Sequence, residues 1–234
     1  MSCRVALLRM EADGLVALPP PLTKNFNGKP YRRRTTTADP GPPLFAPASE
    51  LTDLALDLVG SGAQSHLWNE LIDRYHYLGY RPLPGAQLRY FAKARGQIVA
   101  LLGFGAAAWK TAPRDQFIGW THEKRVAKLH LVTNNARFLI LPWVRSRHLA
   151  SKLLAMAARR LPDDWAAKYD FRPVLLETFV ENDRFKGTCY KAANWICLGQ
   201  TRGRGKLGDN SVSLPIKSIW VFPLSRNFRQ LLAA

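Results

Sequence analysis

Acidic residues are the scarce class in this chain. Asp and Glu number 17 against 34 Lys and Arg, so the formal charge is +17 and the pI is near 10.3. Such an imbalance points to a polyanionic partner, whether nucleic acid, an anionic membrane or a small polyanion. Cysteine is nearly as scarce. Cys3, Cys189 and Cys197 are odd in number and lack zinc-ligand spacing, which argues against a disulfide framework or a zinc ribbon and leaves reduced thiols in the cytoplasm. No apolar run approaches the ~20 residues of a spanning helix, and no signal-peptide pattern opens the chain, so the membrane is the weakest of the three partners. His66, His76, His122, His130 and His148 are scattered, and no Asp/Glu/His set has ligand-like spacing. A metallo-nuclease is therefore not expected and no metal site is assigned. A P-loop and a serine elbow are absent too. What is present is globular: 47% hydrophobic and 11% aromatic residues, with seven tryptophans in 234 residues, enough for one sizeable core and a small appendage.

Residues 1–18, "MSCRVALLRMEADGLVAL", read as a helix with Val5, Leu8 and Ala12 on one face. Asp13-Gly14 stops it, and "LVAL" follows as a short strand. Helix, glycine stop and strand resemble the end of a winged helix-turn-helix, so this stretch is expected to be a partial winged-helix-like segment or a cap on the main domain. Residues 19–50 are expected to be a basic linker. Eight of the sixteen prolines fall between Pro19 and Pro47, and "KNFNGKPYRRR" carries Lys24, Lys29, Arg32, Arg33 and Arg34 with no acid among them. Such an arm either tracks a phosphate backbone or serves as a solvated tether.

From residue 51 to residue 234 helices and strands interleave, which predicts an α/β domain. Helices are expected over Leu51–Val59, His66–Tyr77, Ser146–Leu161 (ended by Pro162) and Asp183–Ala193. Gln87–Ala94 and Gln97–Ala107 flank Arg95-Gly96 as a hairpin. Further strands are expected over Leu129–Val132, Phe138–Val144, Pro173–Val180, Trp195–Gln200 and Ile219–Leu224. In "RFLILPWVRSRHLASKLLAMAARRL" a strand turns into a helix through Arg145, Arg147 and His148. A helix N-terminus already favours anions, so added cations there predict a bound phosphate.

The order helix, hairpin, strand, basic-loop helix, strand, helix, strand is similar to that of GNAT N-acyltransferases, a mixed central sheet flanked by helices. In that family a glycine-rich loop after a splayed strand holds the pyrophosphate of acyl-CoA. The corresponding run here, "VRSRHLASKLL", carries no glycine and resembles the glycine-free loop of protein N-myristoyltransferases. The resemblance implies an acyl-CoA site at Arg145, Ser146, Arg147, His148, Leu149, Ala150 and Ser151. "CYKAANWICLGQT" resembles the family's closing Tyr-x-x-x-Gly-Phe, with Asn194 for Gly and Trp195 for Phe. That implies Tyr190 as the acid for a departing thiolate, and Glu177 in "LETFV" as the base for an amine.

The longer runs "WNELIDRYHYLGYRPLPGAQLRYF", "LHLVTNNARFLILPWV", "LLETFV" and "CYKAANWICLGQTRGRGK" resemble the DruA family, named after a component of Druantia anti-phage systems. Membership would imply a role in defence or with mobile elements, alongside other defence proteins. Charge then weighs between two functions. One CoA needs two or three cations, whereas this chain clusters them at Lys24–Arg34, Arg145–Arg160 and "TRGRGK", where Arg202, Arg204 and Lys206 are spaced by glycine. Aromatics interleave with them at Tyr31, Trp109-Lys110 and Trp120. Nucleic-acid binding is the leading expectation, and an acyl-CoA-dependent N-acyltransferase is the alternative.

Overall fold

Seven strands hydrogen-bond in the order β2-β3-β4-β5-β7-β9-β8. They are Ala55–Leu58 (β2), Gln87–Ala94 (β3), Gln97–Ala106 (β4), Val132–Ile140 (β5), Leu175–Glu181 (β7), Ile196–Gln200 (β8) and Lys217–Pro223 (β9). Every neighbouring pair is antiparallel except β5–β7, so the sheet is mixed. A short parallel pair, Leu44–Phe45 (β1) with Val144–Arg145 (β6), stands apart from it. The computed structural model describes residues 3–20, 33–203 and 214–234.

The chain divides into two compact units, Met1–Pro30 and Tyr31–Ala234. In the first, Cys3–Ala12 form helix α1, which ends where Gly14 takes φ +70° and the Leu15 amide bonds back to Met10. The expected helix is present, but the expected "LVAL" strand is not formed over residues 15–18. The boundary between the units falls at Pro30/Tyr31, not at residue 50. Ala38, Leu44, Ala46 and Ala48 are buried in the main core, so part of the proline-rich stretch is packed chain.

Helices α2 (Ala63–Tyr75) and α5 (Leu149–Tyr169) cover opposite faces of the sheet. Strand alternation shows this. Arg89 lies over Trp68 of α2, while the next residue, Tyr90, donates its hydroxyl to Asp164 of α5 at 2.9 Å. Gly103 lets α2 close on the sheet, because a Cβ there would meet the Trp68 ring at 3.0 Å. A second buried cluster gathers Val132, Leu175 and Val221 of the sheet with Ile118, Trp120, Phe228 and Leu232. Three short helices, α3 (Ala112–Ile118), α4 (His122–Lys128) and α7 (Phe228–Ala233), frame it, and none of them was expected.

Four other boundaries differ from expectation for physical reasons. Leu51–Val59 is not a helix: Leu56 is buried, and Asp57 meets Lys93 across the β2–β3 pair at 2.8 Å. Leu129–Leu131 is a 3₁₀ turn, and β5 is one strand through the polar residues Asn134, Asn135 and Arg137. The helix from Leu149 passes through Pro162 to Tyr169. Proline in a helix interior costs about 3 kcal/mol, but the continued turns bury Trp165 to 1% exposure, worth roughly 4–6 kcal/mol. Finally, α6 is confined to Thr188–Ala192, after Gly187, whose absent Cβ would sit 2.8 Å from the Trp220 indole.

Candidate functional site

Strand β5 is nine residues long, yet only Val132, Thr133 and Asn134 pair with β7. Beyond Asn134↔Glu177 the two parallel strands part, and the wedge between them holds a cleft of about 500 Å³. Its walls come from Asn135, Ala136 and Phe138–Ile140 of β5, Thr178–Val180 of β7, and the segment leading into α6. On the far side, Tyr75 to Leu78 close it at the end of α2, and Ala150 of the first turn of α5 reaches it. The register of β4 against β5 shifts between Gly103 and Phe104, so Ala136 has no opposite partner and the strand bends where the cleft opens.

At the base of the wedge lies a buried neutral network. The Tyr190 hydroxyl donates to Asn135 Oδ1 at 2.9 Å, and Thr178 Oγ1 donates to the Asn135 carbonyl at 3.0 Å. Asn135 Nδ2 donates to the carbonyls of Gly103 and Arg137 at 3.3 and 3.2 Å. Burial raises the Tyr190 pKa, so the phenol keeps its proton at neutral pH. Asn194 takes φ 62°, the left-handed conformation that asparagine tolerates, and Trp195 then turns back with its amide on the Tyr190 carbonyl at 3.0 Å. At the rim, the Leu78 amide donates to His76 Nδ1 at 3.2 Å, which leaves the ring proton on Nε2. Burial first, and Arg137 second, lower the His76 pKa to about 4.

Glu177 points elsewhere. It precedes Thr178 and so projects from the opposite face of β7, fully buried. Its Oε2 accepts from Arg114 at 2.8 Å, and its Oε1 accepts the Ala108 amide at 2.7 Å. The residues lining the cleft do not include Glu177. Tyr190 and Glu177, the expected acid and base, are therefore not brought together. Asn135, Thr178 and His76 were not anticipated; the signal for the first was a pair of asparagines inside an apolar strand.

The basic turn lies where expected. Arg145, Arg147 and His148 are exposed, while Leu149 is buried. His148 takes φ 63° as the residue before α5, and the Arg147 carbonyl accepts the Ala48 amide at 3.0 Å. Ser151 Oγ bonds to the His148 carbonyl, and Ser146 Oγ is buried without a partner. A second hollow of about 380 Å³ joins His148, Ser151 and Lys152 to Ala192, Ala193 and Asn194. Arg33 and Arg202 are exposed, and Arg34 pairs with Asp73 at 3.0 Å. Lys24, Lys29, Arg32, Arg204 and Lys206 lie outside the described residues.

A family model described as Druantia protein DruA matches residues 10–214. The chain belongs to the DruA family. Membership associates it with the Druantia anti-phage systems for which the family is named. Among curated proteins none matches. This DruA-family chain is also similar to several solved acetyltransferases. A Bacillus subtilis acetyltransferase in complex with CoA is 9% identical, with 74% of this chain and 99% of that one covered and a TM-score of 0.43. A spermidine N-acetyltransferase chimera built from the Vibrio cholerae enzyme is 11% identical, with 75% and 98% covered and a TM-score of 0.45. The ribosomal-protein-S18-alanine N-acetyltransferase of Escherichia coli is 9% identical, with 73% and 95% covered and a TM-score of 0.43. Among the described residues of the DruA-family chain, no helix is long and apolar enough to cross a membrane. No group of three or more His, Cys, Asp or Glu there is placed to hold a metal ion.

Proposed function

We propose that this protein is a nucleic-acid-binding component of a Druantia-type anti-phage or mobile-element module, with phosphate held at the start of α5. One observation carries the reading: Arg145 and Arg147 stand exposed at the N-terminus of a 21-residue helix and pair with no carboxylate among the described residues. Helix dipole and cations there favour the same anion. The net charge of +17 supplies the field that draws a polyanion in. The test is a salt titration of binding to a short duplex. Log affinity should fall linearly with log salt at about −0.9 per phosphate contacted, and Arg145→Ala/Arg147→Ala should reduce that slope by about 2. A flat response in the wild type sinks the reading.

The second reading, acyl-CoA-dependent N-acyl transfer, is favoured by the wedge between β5 and β7. It runs from the protonated hydroxyl of Tyr190 to Ala150 beside the basic turn, with room for a thioester chain. Tyr190 would protonate the leaving thiolate; Glu177, fixed in its ion pair, does not serve as the base from where it lies. Calorimetric titration with acetyl-CoA and myristoyl-CoA decides it: binding lost in Arg145→Ala/Arg147→Ala supports acyl-CoA recognition, and no heat in the wild type removes it.

A further inference from the structure

Glu177 is the root of a chain of ion pairs that ends at the surface. Arg114 Nη1 binds both Glu177 and the Ala108 carbonyl at 2.8 Å, and Glu177 binds the Ala108 amide. Ala108, the residue just before Trp109, is thus clamped at both its N–H and its C=O by one buried pair. Arg114 also grips Asp115 Oδ1 at 2.7 Å, and Asp115 Oδ2 accepts from Arg125 at 3.3 Å. Arg125, held further by His122 Nδ1 at 2.7 Å, sets its guanidinium over the Trp109 ring, 5.8 Å from the centroid.

The product of all this bracing is an indole that is 58% exposed. Burial cannot be the reason for holding it, because most of its surface stays in water. The stretch of sequence that follows it is cationic. Between Trp109 and Lys128 the sequence carries Lys110, Arg114, Lys124, Arg125 and Lys128 against Asp115 and Glu123. Arg114 and Arg125 share Asp115, whereas Lys110, Lys124 and Lys128 pair with no carboxylate among the described residues. Helix α3 packs on β8, which runs on towards Arg202.

We propose that Trp109 is a stacking platform for an unpaired base, and that this face of the protein takes single-stranded nucleic acid. An exposed indole offers a π-face that a base inside a duplex cannot reach, and the lysines that follow it in the sequence would meet the flanking phosphates. The proposal rests on the nucleic-acid reading above and deepens it by naming the strand state. Glu177, Arg114 and Arg125 act here as positioning residues.

The experiment measures binding of a short oligothymidylate and of a short duplex to the full chain by fluorescence anisotropy at one fixed salt concentration. Trp109→Ala should weaken the oligothymidylate about 5- to 150-fold and change the duplex by less than about 2-fold, and Trp109→Phe should restore most of the loss. An unchanged melting temperature shows that the exposed site was altered without unfolding the chain. Trp109→Ala binding the single strand as tightly as wild type overturns the platform while leaving phosphate recognition standing. An equal loss for duplex and single strand overturns it too, since stacking cannot explain that. Wild type binding neither probe overturns both this inference and the nucleic-acid reading.

Discussion

Two neighbouring residues of β7 lead into opposite kinds of interior. Thr178 joins a neutral network with Asn135 and Tyr190 that borders an open cleft. Glu177, one residue earlier, enters an ionic chain that grips backbone, and it does not line that cleft. The neutral side can admit a ligand, because it asks for few hydrogen bonds and its charges sit at the rim. On the ionic side every buried charge has an opposite charge within reach, and that completeness makes it scaffold. Polar residues on one strand therefore do not share a task merely by being adjacent.

The sharpest way to break this contrast is to remove Arg114. Glu177 would be left buried and charged without its partner, which costs about 3–5 kcal/mol. Urea denaturation should show that loss, and the melting temperature should fall by roughly 10 °C for a chain of this size. Arg114→Met/Glu177→Met should recover part of it, since Glu177 is then no longer stranded, and the remainder reflects the lost bonds to Ala108 and Asp115. Losses that simply add in the double variant would mean the two residues are not coupled.

On the neutral side the matching substitution is milder. Tyr190→Phe keeps the ring among Trp195 and Trp220 but leaves Asn135 Oδ1 buried without its donor, at about 1–3 kcal/mol in urea. A cost equal to that of Arg114→Ala would erase the distinction between the two networks.

These differences also set how much could be read in advance. The hairpin and the β8–β9 strands were legible because their alternation is local. The basic turn was legible because two arginines and a histidine at a helix start are unusual whatever surrounds them. Asn194 was set against a glycine position, and its φ of 62° is one that glycine readily adopts. Glu177 could not be placed, because a strand glutamate looks the same whether it faces a cleft or an arginine 63 positions earlier. The helices α3, α4 and α7 escaped notice because each is only six or seven residues long and held by tertiary packing rather than by its own periodicity.

Acid sharpens the comparison from the cleft side. His76 is held neutral in the folded protein with a pKa of about 4, against 6.5 when exposed. The unfolded chain therefore takes up the proton first, so the stabilisation is complete above about pH 6.5 and is lost as pH falls towards 4. Allowing for the partial exposure of the ring, the loss between pH 7.5 and pH 5 is about 1–2 kcal/mol. His76→Gln should flatten that part of the pH–stability curve. An undiminished slope would move the acid sensitivity to other groups.

The smallest effect tests the turn that carries Tyr190 into the cleft wall. Asn194 sits at φ 62°, where a Cβ is crowded and only asparagine, aspartate or glycine is at ease. Asn194→Ala should cost about 1 kcal/mol, while Asn194→Gly should change stability by less than about 0.5 kcal/mol, because relief of crowding and added unfolded-state entropy oppose each other. Denaturant midpoints of the three proteins resolve this ordering. If alanine proves as stable as asparagine, the turn is not strained, and Trp195, packed at 5.1 Å on the Tyr190 ring, would have to hold the cleft wall in place by itself.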